Sequence, residues 1–163
     1  MLAIILVLGM VSVRAQVSEG TDASKGIVEY RPKRQLVTTT INAGGNSLQN
    51  AIDAANPGDT LLLNDGTYTS GNIQVASITK NLIIQAQNNL QAVIDGENNR
   101  RVFLISGSVT VTLQGLDIKR GKITNANAGN NPNWKNAGAG VRIEGGTITI
   151  TSCSINNNDA TWN

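Results

Sequence analysis

The sequence has no histidine, one cysteine and three prolines, and aromatic residues make up only 3% of it. Without histidine or paired thiols, the usual zinc, copper and haem ligand sets are missing, as are Ser-His and Cys-His nucleophile pairs. Cys153 stands alone and cannot close an intramolecular disulfide. The metal chemistry left open is a carboxylate-held Ca²⁺, for which no motif is visible, so no cofactor is expected. A dominant charge sign is also lacking. The 13 Lys and Arg nearly balance the 11 Asp and Glu, and no basic patch argues for nucleic acid. No apolar run reaches the ~20 residues that a membrane-spanning helix needs. A length of 163 residues allows one domain.

The N-terminus does carry a shorter apolar run, Leu2 to Val13, followed by Arg14-Ala15-Gln16. Val13 and Ala15 occupy the −3 and −1 positions of a small-residue cleavage site, although no Lys or Arg precedes the run. Residues 1–15 therefore read as a signal peptide, and the protein as secreted, with Gln16 as the mature N-terminus. Residues 16–35 are polar and aperiodic, a linker or propeptide. They close on Arg31-Pro32-Lys33-Arg34, a string that resembles a furin-type processing site; a chance basic cluster in a surface linker is the plainer reading.

From residue 36 to residue 163 the chain becomes a series of short β-rich runs broken by Gly, Asn and Asp. One segment differs. Leu48, Ala51, Ile52 and Ala55 recur at helical spacing, with Asn46 as N-cap, Gln49 in the capping-box position and Asn56-Pro57-Gly58-Asp59 as the stop. A single amphipathic helix ahead of many strands suits a plug over the open end of a solenoid.

The strands repeat at a long period. Aligning Val109–Gly121 with Ile148–Asn158 sets Leu113 on Ile150, Gly115 on Ser152, Leu116 on Cys153 and Ile118 on Ile155. One coil earlier, Ile84 falls against Leu113, and segments 101–107 and 140–146 also correspond. Offsets of roughly 29 and 37 residues, with no helix between, mean stacked strands rather than βαβ units. Leu116, Ile118, Val141 and Ile143 should point inward, and Asp117, Lys119, Arg142 and Glu144 outward. A narrow coil has little room for aromatics, which suits their scarcity. A β-sandwich is the competing fold, but it would want stronger hairpin turns.

The stretch SLQNAIDAANPGDTLLLNDGTY resembles the opening segment of pectin-lyase-like proteins. AVIDGENNRRVFLISGSVTVTLQGLDIKRG, followed by GAGVRIEGGTITITSCSINNN, resembles the coils of extracellular β-helix proteins, including polymorphic outer-membrane-protein and adhesin relatives. The resemblance implies an all-β, right-handed, single-stranded parallel β-helix of about three coils with a short N-terminal capping helix. It is specific for fold and poor for activity, since such proteins include lyases, glycoside hydrolases, epimerases and non-enzymatic adhesins.

Enzymes of this kind place acids, bases and Ca²⁺ ligands on outward positions of neighbouring coils. The weak catalytic candidates are Asp117, Arg142 and Glu144. Lys119 and Arg120 lie beside the first, and Asp95, Glu97, Arg100 and Arg101 lie around a turn. Glycoside hydrolysis needs two carboxylates flanking one bond. A lyase needs metal-held carboxylates and a base such as Arg. Here Asp117 has Lys119 as its same-face neighbour and Glu144 has Arg142, a pattern more typical of solvated sheet decoration. The loop after Lys122 offers Trp134 and Lys135 as sugar contacts, against the alternative that Trp134 folds back on the solenoid.

The expected role is association with extracellular polysaccharide, by binding or, in a longer parent, by processing. The alternative is a non-catalytic adhesin or structural β-helix with a cell-surface protein partner. The chain stops just after a strand, which suggests a truncated product. It also leaves an open C-terminal coil through which copies could self-associate. No catalysis is expected of this chain alone.

Overall fold

The computed structural model describes residues 34–123 and 138–160. The chain divides into two units, Met1–Gln35 and Leu36–Asn163, and the strands and helix described below lie in the second. The expected signal peptide, the linker up to Lys33, the loop residues Trp134 and Lys135, and residues 161–163 lie outside the described residues.

The elements run β1 (Thr38–Ile41), β2 (Gly44–Gly45), α1 (Ser47–Ala54), β3 (Thr60–Leu63), β4 (Gly66–Thr69), β5 (Gln74–Ile78), β6 (Leu82–Ala86), β7 (Ala92–Asp95), β8 (Arg101–Ile105), β9 (Thr110–Gln114), β10 (Leu116–Lys119), β11 (Lys122–Ile123), β12 (Val141–Ile143), β13 (Thr147–Thr151), β14 (Ser154–Asn156) and β15 (Asp159–Ala160). Consecutive strands go to different sheets, and each strand pairs in parallel with its counterpart one coil on. The orders are β1-β3-β6-β9-β13, β2-β4-β7-β10-β14 and β5-β8-β12, with a small β11-β15 pair. This is a parallel β-helix. Three complete coils carry a strand on each of the three main sheets, and the strand pairs β1-β2 and β13-β14 add a partial turn at either end.

Side-chain alternation sets the core. Leu61, Ile84 and Leu113 stack in one inward column, and Ile94 and Ile118 in another, all essentially inaccessible to solvent. The repeat alignment holds residue for residue at Leu113↔Ile150, Ile118↔Ile155 and Ile84↔Leu113. Segments 101–107 and 140–146 pair one residue out of end-to-end alignment, with Val141 on Phe103 and Ile143 on Ile105. That register keeps Val141 and Ile143 on the inward face; a one-residue slip would turn them out. In the last turn the inward column is only half covered: Ile143, Ile150 and Ile155 are 50%, 40% and 49% exposed.

Corners are made by tight bends and amide side chains. Gly115, at φ +69, takes a left-handed conformation, and a Cβ there would sit 3.2 Å from Asn89 Oδ1. Asn64 Nδ2 donates to Asn42 Oδ1 at 2.6 Å, and Asn88 Nδ2 to both Asp65 oxygens. Asn158 Nδ2 donates to the Ile118 carbonyl one coil back, while its Oδ1 accepts the Gly121 N–H.

The helix α1 packs on β4 and β5 at the N-terminal end, burying Leu48 and Ile52. The expected capping box is absent. Asn46 occupies the N-cap position, but at φ 61, in the left-handed region, and makes no side-chain cap hydrogen bond. Its Oδ1 instead accepts from Ser70 Oγ at 2.8 Å and Gly71 N–H at 3.0 Å. Gln49 Oε1 accepts from the Ser77 N–H. Both side-chain oxygens tie the cap to the first coil, because the neighbouring coil offers donors that compete for them with the N–H groups of the helix terminus.

The outward face of the largest sheet bears two ladders. Thr38, Thr60, Ile83, Thr112 and Thr149 form one column, and Thr40, Leu62, Gln85, Gln114 and Thr151 the next.

Candidate functional site

The charged candidates fall on two separate sheets. Asp117 and Lys119 project from β10, two residues apart on one face, and their charged groups meet at 3.1 Å. Asp117 also accepts from Asn156 Nδ2 at 2.9 Å, from the strand stacked next to it. On the third sheet, Arg142 of β12 reaches Glu144 at 2.7 Å. The structure therefore joins each acid to its predicted basic neighbour and leaves Asp117 and Glu144 on different sheets.

A third group lies at the corner after β7. Asp95 is only 1% exposed, and its Oδ1 accepts the Glu97 N–H at 2.8 Å. Arg120, from the next coil, grips both carboxylate oxygens through Nε and Nη2. Burial alone would raise the Asp95 pKa. The Arg120 and Glu97 N–H hydrogen bonds, with the Arg120 and Lys119 charges, outweigh it and hold the carboxyl below its ordinary value. Arg120 is correspondingly raised by Asp95. Backbone φ values of 54 at Glu97 and Asn98, and 51 at Arg120, mark the tight corner. A Cβ on Gly96 would come within 2.6 Å of the Arg100 and Arg120 carbonyl oxygens. The turn expected at Asp95-Gly96-Glu97 is there. Its cross-coil clamp was missed, although the register that pairs Asp95 with Lys119 puts Arg120 one step past it. Glu97 also meets Arg100 at 3.3 Å.

Arg101 is the other surprise. Grouped with a turn on sequence, it starts β8 and is fully buried. Its Nε donates to the Gly138 carbonyl at 3.1 Å. Burial lowers its pKa, and the Arg142 charge adds to that while Glu144 opposes it. Nothing in composition or spacing distinguishes this arginine from the exposed ones.

As chemistry, the arrangement offers cations and occupied carboxylates. Asp117, Glu144, Asp95 and Glu97 each face a basic partner. Among the described residues, no group of three or more His, Cys, Asp or Glu is placed to hold a metal ion. No helix among them is long and apolar enough to cross a membrane. A cavity of about 200 Å³ lies between β1, α1 and β3, walled by Val37, Ile41, Ala51 and Leu61. None of the charged candidates lines it.

The model of one protein family, chondroitinase B, matches residues 43–161. Among solved structures, the PL6 family alginate lyase AlyGC superposes with a TM-score of 0.52 at 24% identity, over 78% of this chain and 18% of that one. That likeness is one of fold, and the chain spans less than a fifth of the lyase's length. No curated protein matches the sequence.

Proposed function

The chain belongs to the chondroitinase B family, and from that premise we propose that it is a secreted β-helix protein that binds an extracellular, acidic polysaccharide, with processing reserved to a longer parent. The winding in this reading is right-handed, as parallel β crossovers almost always are.

The observation that carries binding rather than turnover is the pairing of the outward acids. Asp117 is paired with Lys119 at 3.1 Å and Glu144 with Arg142 at 2.7 Å, so proton transfer by either acid would first require its ion pair to break. In this reading a uronate or sulfate reaches Lys119, the more exposed of the two basic groups, by exchanging with its contact to Asp117. Trp134 and Lys135, which follow Lys122 in the sequence, are the proposed sugar contacts. Secreted material should begin at Gln16, or at Gln35 where Arg31-Pro32-Lys33-Arg34 is cut.

The test pairs binding with chemistry on alginate, pectate and a sulfated glycosaminoglycan. Salt-sensitive retention, without ultraviolet-absorbing unsaturated ends, supports the reading. Loss of Trp fluorescence quenching in Trp134→Ala would place the loop at the sugar. Unsaturated or reducing ends that depend on Asp117 or Glu144 would make this chain an enzyme, and absence of retention would remove the polysaccharide.

The second reading is an adhesin-like β-helix with a protein partner or a second copy. It is favoured by the corner contacts of Asn64 with Asn42 and of Asn88 with Asp65, and by the half-exposed Ile143, Ile150 and Ile155.

A further inference from the structure

We propose that the outer face of the five-stranded sheet β1-β3-β6-β9-β13 is a second docking surface, for an uncharged, extended polysaccharide laid along the coil axis. It is a different surface from the charged faces above and does not depend on them.

The first argument is charge. Of the ten positions in the two outward columns, six are threonine and none is charged. Thr110 paired with Thr147 continues the pattern at one end. The other outward faces differ, with Asp117 and Lys119 on β10 and Arg142 on β12. A ligand settling on the threonine face strips water from no protein ion, a cost it would meet on the charged faces. An anionic chain would find no cation there.

The second argument is the hydrogen-bonding repertoire. Each threonine hydroxyl offers one donor and two acceptors, and Gln85 and Gln114 offer both kinds from an amide. Sugar hydroxyls present the same mixture, so water can be exchanged without orphaning either partner. Threonine is β-branched and stiff at χ1, so little side-chain entropy is lost on docking. Ile83, between Thr60 and Thr112 in the first column, is 37% exposed and gives an apolar spot that suits the C–H face of a pyranose ring.

The third argument is repetition. Stacked strands advance ~4.8 Å, so the five rungs, four of them bearing threonine in the first column, extend over about 19 Å. That advance is close to one sugar unit of an extended glycan, so successive residues of the polymer meet equivalent rungs. Weak contacts repeated along one chain then add through effective concentration. A stable protein partner fits less well. Protein interfaces draw their energy from aromatic and arginine anchors, and neither column contains one.

The test uses the full chain and two insoluble probes, amorphous cellulose and calcium alginate beads. Depletion from solution is measured for wild type, Thr112→Lys, Gln114→Lys and, on the charged face, Lys119→Gln. Gln114 is exposed, so its variant keeps the test open should Thr112→Lys fail to fold. The expected result is depletion by cellulose that falls at least tenfold in both lysine variants, while their retention on alginate is not reduced. Lys119→Gln should leave cellulose depletion intact whatever it does on alginate. No depletion of wild type by cellulose, or equal depletion of wild type and both lysine variants, overturns the proposal. Failure on alginate alone bears only on the charged faces.

Discussion

One inward column lets the burial gradient of the coil be measured directly. Tyr68, Ile94, Ile118 and Ile155 stack in register on four successive strands. The first three are fully buried and Ile155 is 49% exposed. Replacing isoleucine by alanine removes three carbons, worth about 2.4 kcal/mol in transfer at ~0.8 kcal/mol each. At Ile94, walled above and below by buried side chains, the cavity cannot close, and the total should reach about 3–4 kcal/mol. At Ile118 one wall is the half-exposed Ile155, which can relax, so the cost should be about 2–3 kcal/mol. At Ile155 about half the transfer term applies and little cavity forms, giving about 1 kcal/mol. With a urea slope near 2 kcal/mol/M, the midpoints should fall by roughly 1.5–2 M for Ile94→Ala and roughly 0.5 M for Ile155→Ala. Ile118→Asp should abolish soluble folded protein, because it buries an unpaired carboxylate. Lys119→Gln on the same strand should stay within about 0.5 kcal/mol. Lys119→Asp, which a bare alternation argument treats as harmless, would instead place a third carboxylate between Asp95 and Asp117. Equal costs at Ile94 and Ile155, measured by urea unfolding, would refute the stacked-column account.

Three further outcomes are expected. The Asp95 carboxyl is held below its ordinary value of 3.8, so its stabilisation is complete above that pH and is lost as pH falls through the lower folded value. Urea midpoints measured between pH 5 and 2 should therefore drop at the acid end, and Asp95→Asn should flatten that limb. Burial pushes the Tyr68 phenol up to about 12. Stability should be fully present below pH 10 and decline as pH rises towards 12, with phenolate absorbance from this residue appearing only there. Tyr68→Phe, which frees the Ile41 and Asn64 carbonyls, should cost about 1–2 kcal/mol by the same urea assay. Gly96→Ala should destabilise by about 1–3 kcal/mol, because its methyl would press on two backbone oxygens; a neutral result would mean that the Asp95 corner gives way readily.

The fold was legible because its signals recur. Ile84, Leu113 and Ile150 announce one strand position three times over, and the charge alternation in Asp117-Ile118-Lys119 identifies the buried side without a partner being known. The polar contacts were legible only within a strand. Asp117–Lys119 and Arg142–Glu144 follow from spacing, whereas Asp95–Arg120 needs the register of two coils and the left-handed turn that aims Arg120 back. The Asn46 and Gln49 side chains misled for a related reason: local helix rules see the nearest N–H groups, and the solenoid offers other donors, the Ser70 hydroxyl and the Gly71 and Ser77 N–H groups. Burial of Arg101 has no local signature at all, because it depends on which strand end lies under the chain at Gly138.

The same neighbour-to-neighbour pairing has a kinetic consequence. Partners in the largest sheet are 22, 23, 29 and 37 residues apart, from Thr38↔Thr60 up to Thr112↔Thr149. Closing the longest of these loops costs only about 0.5 kcal/mol more entropy than closing the shortest, so no rung is much harder to lay down than another. Each strand nevertheless needs an already ordered edge as its template. The helix α1 with β1 to β5 supplies the first one, tied by Asn46 and Gln49. Folding should then proceed as a zipper from the N-terminal end, in the order in which synthesis delivers the chain, with each finished coil serving as the nucleus for the next. In such a process a lesion at the cap delays every coil, while a lesion in β13 leaves the earlier ones to form at their normal rate.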